Sequence, residues 1–256
     1  MLRPIIAGLV LGSVLLRAQS PVEPKPEPTS AERIKMLERQ IAQQKRTMRD
    51  WGGLLRYGSD NTELPKLKPG EQRVIFFGDQ ITEMWGETGE SFFPGKPWLN
   101  RGVAGQTTDQ MLIRFRQDVI SLHPTAVVIL GGLNDVAGLR GVNSTETIFD
   151  NLASMTQLAQ ANGLKVVLAS LTPVCDCFTT RRVRERWQDR ISEINERIKR
   201  YSQQAGTYYV DYFSALASDD DFKRELTKDG VMPNQAGYRV MASLAEEVLA
   251  QALKKN

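Results

Sequence analysis

Apolar residues fall into two rhythms along this chain. Five short runs, Arg73–Phe77, Pro97–Arg101, Ala126–Leu130, Lys165–Ser170 and Thr207–Tyr212, are continuous or nearly so, the pattern of strands buried on both faces. Between them the apolar positions recur at helical spacing. Met111, Leu112, Phe115, Val119 and Leu122 share one face behind Thr107 or Thr108 as cap. Ile148, Leu152, Met155 and Ala159 follow an Asn143–Glu146 capping box and stop at Gly163, a helix-ending residue. Trp187, Ile191, Ile194, Ile198 and Tyr201 line a longer helix, and a last helix runs from about Gln235 to Leu253. Strands alternating with helices predict parallel strands and right-handed crossovers. Five of them make a doubly wound α/β fold, a three-layer α/β/α sandwich with a five-stranded parallel sheet. Its ligand site belongs at the carboxyl ends of the strands.

The first 70 residues read differently. Residues 1–20 have a positive start at Arg3, an apolar run from Ile5 to Leu16, and small residues at Ala18 and Ser20, the layout of an export signal. The run is shorter than the ~20 residues a membrane span needs. The alternative is an uncleaved anchor; no cysteine lies near the cut to carry a lipid. Residues 21–29, PVEPKPEPT, form a stiff linker with four prolines. Residues 30–70 form a helical extension capped by Ser30, with Ile34, Leu37, Ile41 and Met48 on one thin stripe. That helix either docks on the main domain, residues 71–256, or serves as an arm for a protein partner. Loss of Arg3 and Arg17 with the leader takes the net charge from +3 to +1, which gives no support for nucleic-acid binding.

The residues with chemical interest follow the strands, as the fold requires. Gly78-Asp79-Gln80-Ile81-Thr82 follows the first run, Gly102 to Thr107 the second, and Gly131-Gly132-Leu133-Asn134-Asp135 the third. Asp229-Gly230-Val231-Met232 precedes the last helix. These four blocks, in this order, resemble those of the SGNH hydrolases, also called GDSL esterases and lipases, over Glu71 to about Leu253. The resemblance implies a flavodoxin-like fold of the SGNH type. It makes the Gln80 position that of the nucleophilic serine, and Gly105 and Asn134 the donors that hold an oxyanion. Asp229 matches the acid of an Asp-x-x-His pair, and the Met232 position is that of the histidine base. Gly78 and Asp79 support the first block.

Two of those positions depart from the family. Glutamine has no hydroxyl to attack with, and a thioether takes no proton near neutral pH. The chain's one histidine, His123, precedes the Ala126–Leu130 strand, so it belongs at the amino end of the sheet, a strand length from the site. Thr82 lacks a base, and the remaining alternative pairs Asp79 with Asp229 as an acid–base dyad. The expectation is therefore an exported pseudoenzyme that binds a small acylated ligand, a carbohydrate ester or a lipid ester. The alternatives are an active ester hydrolase with a non-standard site, and an exported scaffold. No cofactor is implied. Cys175 and Cys177 are either loop thiols or a tight disulfide, and with one distant histidine they do not make a metal site. Arg181 and Arg182 would suit an anionic ligand.

Overall fold

The computed structural model describes residues 28–87, 91–141, 143–178 and 183–254. The expected leader, most of the proline linker, and Arg181 and Arg182 lie outside the described residues. The chain forms two compact units, Met1–Arg46 and Thr47–Asn256, and each is described on its own. The described part of the first lies in helix α1, Ser30–Arg49, whose last three residues fall in the second. Its cap is Thr29 rather than Ser30. The Thr29 N–H donates to Glu32 Oε2 at 2.7 Å, and Thr29 Oγ1 accepts from the Glu32 N–H at 3.4 Å. The capping box is thus Thr29-x-x-Glu32, one residue earlier than expected.

The second unit opens with a short helix, α2 (Gly58–Thr62), and then alternates. In chain order come β1 (Val74–Gly78), α3 (Gln80–Glu83), β2 (Trp98–Gly102), α4 (Thr108–Asp118), β3 (Ala126–Leu130), α5 (Leu133–Val136) and α6 (Thr145–Ala161). They are followed by β4 (Lys165–Ala169), α7 (Val183–Gln204), β5 (Tyr208–Val210), α8 (Tyr212–Leu216), the two-residue strands β6 (Ala217–Ser218) and β7 (Asp221–Phe222), and α9 (Gln235–Ala252). The main sheet is five-stranded and parallel, in the order β2-β1-β3-β4-β5. That is the flavodoxin-like order, with the switch point between β1 and β3.

Neighbouring side chains on β1 show why both faces are closed. Phe77 points to one side, where its ring meets Phe115 of α4 edge-on at 5.2 Å. Phe76 points to the other, where it packs on Trp85 and Phe93, and Trp85 in turn on Tyr238 of α9. All five residues of β1 and of β3 are buried, as continuous apolar strands demand.

Some boundaries differ from the expectation for local reasons. Gly78 and Gly102 still pair in the sheet, so β1 and β2 each start and end one residue later. Helix α6 is capped by Ser144, whose side chain accepts from the Thr147 N–H. Asn143 is free of that role and donates instead to Asp135 Oδ1 at 2.8 Å. β5 stops at Val210 because Asp211 turns the chain by capping α8. α4 ends at Asp118, yet Val119 and Leu122 remain buried in the following turn.

The register places three strand ends at one level. Gly78 lies opposite Gly102 on one side and Leu130 on the other. Beneath this edge sits Arg114 of α4, fully buried. Its guanidinium donates to Gly78 O at 2.8 Å, to Arg101 O at 2.9 Å and to Asp118 Oδ2 at 3.1 Å, and it stacks 4.1 Å from the centre of the Phe77 ring. Its Nε donates to the Gln106 side-chain oxygen. Gln106 and Gln110 also bind the carbonyls of Gly52 and Trp51, so the segment ahead of α2 is tied to the same helix. Cutting one partner from a buried ion pair is costly because the other charge is left desolvated. Arg114→Ala is expected to lose about 3–5 kcal/mol of stability in urea unfolding. Lys96→Ala, which breaks the exposed Lys96–Glu246 pair, should cost about 0–1 kcal/mol. Comparable losses for the two would refute this role of Arg114.

Candidate functional site

The first loop leaves β1 with no room to spare. A Cβ on Gly78 would lie 2.2 Å from Thr82 Oγ1 and 2.4 Å from Leu130 O. Only glycine fits, and the chain can turn at once into α3. Asp79 makes the turn: its Oδ1 accepts from the Ile81 N–H at 3.0 Å and caps the helix. Asn100 of β2 adds a donor to Thr82 O at 2.6 Å. Gln80 is then the first helical residue, and its side chain lies across the sheet edge.

The Gln80 amide meets both of the expected oxyanion donors. Its Oε1 accepts from Asn134 Nδ2 at 2.7 Å and from the Gly105 N–H at 3.1 Å. Its Nε2 donates back to Asn134 Oδ1 at 3.0 Å, so the two carboxamides form a closed reciprocal pair. Asn134 Nδ2 donates a second bond to Gln106 O at 2.8 Å. The Gly105 N–H can only donate and Gln106 O can only accept. These two backbone groups therefore fix which end of each amide is oxygen. Gly105 has φ +74°, a left-handed conformation that suits glycine and accompanies the presentation of its N–H to the site.

Each donor is braced from behind. Asp135, next to Asn134, is buried and accepts from the Thr108 N–H, Thr108 Oγ1 and Asn143 Nδ2. It thereby locks the third loop to the start of α4. Burial raises the Asp135 pKa, against the lowering effect of its Asn143 and Thr108 hydrogen bonds. The Thr107 N–H donates to Gln110 Oε1 at 3.2 Å, and the Ala104 N–H to Glu83 Oε2 at 2.7 Å, so the glycine loop is held at both ends. Arg114, Gln106 and Asn100 were not anticipated from sequence. The available signal was Arg114 lying inside the apolar face between Met111 and Phe115, with Asp118 four residues on.

The fourth block reaches the same edge by another route. The Cys175 N–H, in the loop after β4, donates to Gly230 O at 2.8 Å, and a Cβ on Gly230 would lie 2.3 Å from Cys175 O. Tyr238 Oη of α9 donates to Ile81 O at 2.9 Å and links this region to the first loop. Asp229 is exposed, and its Oδ1 accepts from the N–H groups of Val231 and Met232 at 3.0 and 2.8 Å. The aspartate thus closes its own turn. Met232 is half-buried and packs on the core, while its carbonyl accepts from the Lys228 N–H and Thr227 Oγ1. Hydrogen bonds join Gln80 to both Gly105 and Asn134; Asp229 and Met232 bond within their own loop. His123 is exposed in a left-handed turn at the amino end of β3. Among the described residues no group of three or more His, Cys, Asp or Glu side chains is arranged to hold a metal, and no helix is long and apolar enough to cross a membrane.

A flavodoxin-like sheet with two N–H donors converging on one oxygen at its carboxyl edge defines a hydrolase-type fold of the SGNH class. The chain belongs to the GDSL-like lipase/acylhydrolase family, whose model matches residues 76–240. Among solved structures it is similar to a GDSL-like lipase from Bacteroides thetaiotaomicron, at 36% identity over 79% of this chain and 99% of that one, with a TM-score of 0.72. It is also similar to a Bacteroides fragilis protein named provisionally as an acylhydrolase, at 38% identity over 80% and 99% of the two chains, TM-score 0.73. A curated relative, the uncharacterized lipoprotein YqeF of Bacillus subtilis (strain 168), is 31% identical over 124 residues, 42% of this chain. The match spans 51% of that relative's length.

Asp79 gives the site a pH signature. Burial lifts its carboxyl from 3.8 to about 7; the Asp135 charge adds to this, while the Ile81 N–H and Arg114 oppose it. The folded state therefore holds this proton over a range in which the unfolded chain has lost it. The contribution to stability is complete below about pH 4 and disappears as pH rises through about 7. Asp79→Asn keeps the acceptor for Ile81 and removes the titration. Its melting temperature, measured from pH 5 to 8, should fall less with rising pH than that of the parent; parallel curves would contradict the assignment.

Proposed function

We propose that this chain is a GDSL-family protein that keeps the acyl-recognition edge of the fold and has given up ester hydrolysis. In this reading it is an exported binding protein for a small acylated ligand, a carbohydrate ester or a lipid ester. The observation that carries the proposal is the position of Gln80 Oε1, hydrogen-bonded to both Gly105 N–H and Asn134 Nδ2. Acyl transfer uses two such donors to hold the oxygen that becomes negative, and one of them can be worth about 3–4 kcal/mol. Here they already hold the oxygen of a side chain that has no hydroxyl to attack with.

The chemistry on the other side of the reaction is absent as well. With Met232 in the base position the Asp229 turn carries no imidazole to take a proton from a nucleophile, and Asp229 Oδ1 holds two backbone N–H groups. Removal of either serine or histidine from a serine-protease triad lowers turnover by about 10⁶. A residual ~10³–10⁴ over water comes from the oxyanion donors and binding, and here those donors are occupied. An acyl carbonyl entering the site must displace Gln80. Breaking its three hydrogen bonds, at about 0.5–1.5 kcal/mol net each, sets a cost that the rest of the ligand has to offset. Export is supported by the apolar leader and by the lipoprotein nature of the Bacillus subtilis relative.

Hydrolysis of a short activated ester such as 4-nitrophenyl acetate separates the readings. The parent chain should run at the buffer rate, and Gln80→Ser with Met232→His should gain turnover of at least about tenfold over the parent, a small part of the 10⁶ at stake. Rapid hydrolysis by the parent, abolished by Asp229→Asn, would instead establish an active hydrolase with a non-standard site.

A further inference from the structure

The disulfide between Cys175 and Cys177 plays no part in the acyl site described above, and its placement is hard to explain as a fold staple. A cross-link stabilises mainly by shortening the loops open to the unfolded chain, and the effect grows with the length of chain enclosed. This one encloses a single residue, Asp176. Nor is the loop short of other anchors. Val174 bridges to Asp221, the Phe222 N–H donates to Val174 O, and the Cys175 N–H donates to Gly230 O. These bonds anchor the backbone around Cys175 independently of the two sulfurs.

That combination suits reversible chemistry. Two thiols separated by one residue, on a backbone pinned by its neighbours, remain close after reduction and can close again without a search. The two sulfurs also differ in access. Cys175 is 3% exposed and lies against Gly230, whereas Cys177 is half-buried and is followed by Phe178, 47% exposed. The Arg224 guanidinium stacks on the Phe178 ring at 4.9 Å, bringing a fixed positive charge to the residue beside Cys177. Thiol–disulfide exchange is governed by access to the sulfur that is attacked and by the thiolate character of the attacker; a nearby cation favours an approaching thiolate.

We propose that Cys175–Cys177 is a thiol–disulfide exchange site at the carboxyl edge of the sheet, which takes small thiols or dithiols as its substrate class. An incoming thiolate attacks Cys177 Sγ and forms a mixed disulfide there. The Cys175–Cys177 bond breaks, and its electron pair leaves on Cys175, which takes up a proton. A second thiolate then attacks the sulfur that the first one contributed, releasing the external disulfide and leaving Cys177 as a thiol once protonated. Two external thiols are oxidised and the cystine is reduced to two thiols; the reverse sequence restores it. The Cys175 N–H donates to Gly230 O, so the pair lies beside the turn that carries Asp229 and Met232.

The test uses the full chain in glutathione buffers of graded ratio, with alkylation by N-ethylmaleimide and mass spectrometry. The folded protein, checked by circular dichroism, should move reversibly between zero and two alkylated cysteines within the range that glutathione buffers span. Cys175→Ser should accumulate a mixed disulfide with glutathione at Cys177 at least tenfold faster than Cys177→Ser does at Cys175. A bond that stays closed until the chain unfolds would overturn the proposal. So would two thiols that stay alkylatable in oxidised glutathione, or equal labelling of the two single variants.

Discussion

The sheet edge of this protein rests on a charge held out of water. Arg114 reaches from the buried face of α4 and binds the last carbonyl of β1, a carbonyl of β2, and the side chain of Gln106 in the second loop. A buried guanidinium is tolerated only when its donors are met; here the strand ends and Asp118 meet them. The arrangement constrains everything above it. Gly78, Gly102 and Leu130 end at one level because they pair in register, and the shared cation holds the first two loops at a fixed separation. The Gly105 N–H and the Asn134 amide can therefore converge on one oxygen without a ligand to organise them. The preorganisation expected of an oxyanion site is a property of packing beneath it.

Much of this was legible in the sequence, for a physical reason. A parallel sheet covered on both faces writes its strands as unbroken apolar runs, and the doubly wound topology puts loop chemistry at one edge. The loops after the first three strands could thus be assigned to one edge before any coordinate, and Gln80, Gly105 and Asn134 do meet there. Caps were harder. Thr29-Ser30 and Asn143-Ser144 each offer adjacent residues with similar capping ability, and which one caps depends on where the preceding chain arrives. Ser144 takes the role, and the Asn143 side chain is turned to donate to Asp135 instead. Arg114 was not legible: an arginine in an apolar stripe reads as a blemish until its carbonyl partners, far away in sequence, are known. The β6–β7 hairpin escaped for a different reason, since strands of two residues have no periodicity to detect.

The fate of Gln80 was legible only as a matter of size. The sequence says that a long polar side chain stands where a short hydroxyl belongs. It does not say that the chain is the right length for its oxygen to reach both donors while its nitrogen returns to Asn134. Glutamic acid at that position would match the donors but would set a negative oxygen against Asn134 Oδ1. A leucine would leave the Gly105 N–H without this partner and the Asn134 amide with only its bond to Gln106 O. Among side chains of this length, a carboxamide is the one that satisfies every group of the edge.

This changes how the site should be thought of energetically. Groups aimed at a transition state are, in the resting protein, incompletely satisfied, and catalytic sites hold such arrangements at a cost in stability. Gln80 removes the cost. It turns two open donors into a tie among the loops after β1, β2 and β3, and stability gained in this way opposes ligand entry by the same interactions. On the binding reading, selectivity then follows from competition. A ligand whose carbonyl merely replaces Gln80 Oε1 gains little, because the bonds made equal the bonds broken. A ligand that also binds outside the hole gains from every contact beyond that exchange. The acyl group would be the common feature of its ligands, and the remainder of the molecule would decide among them.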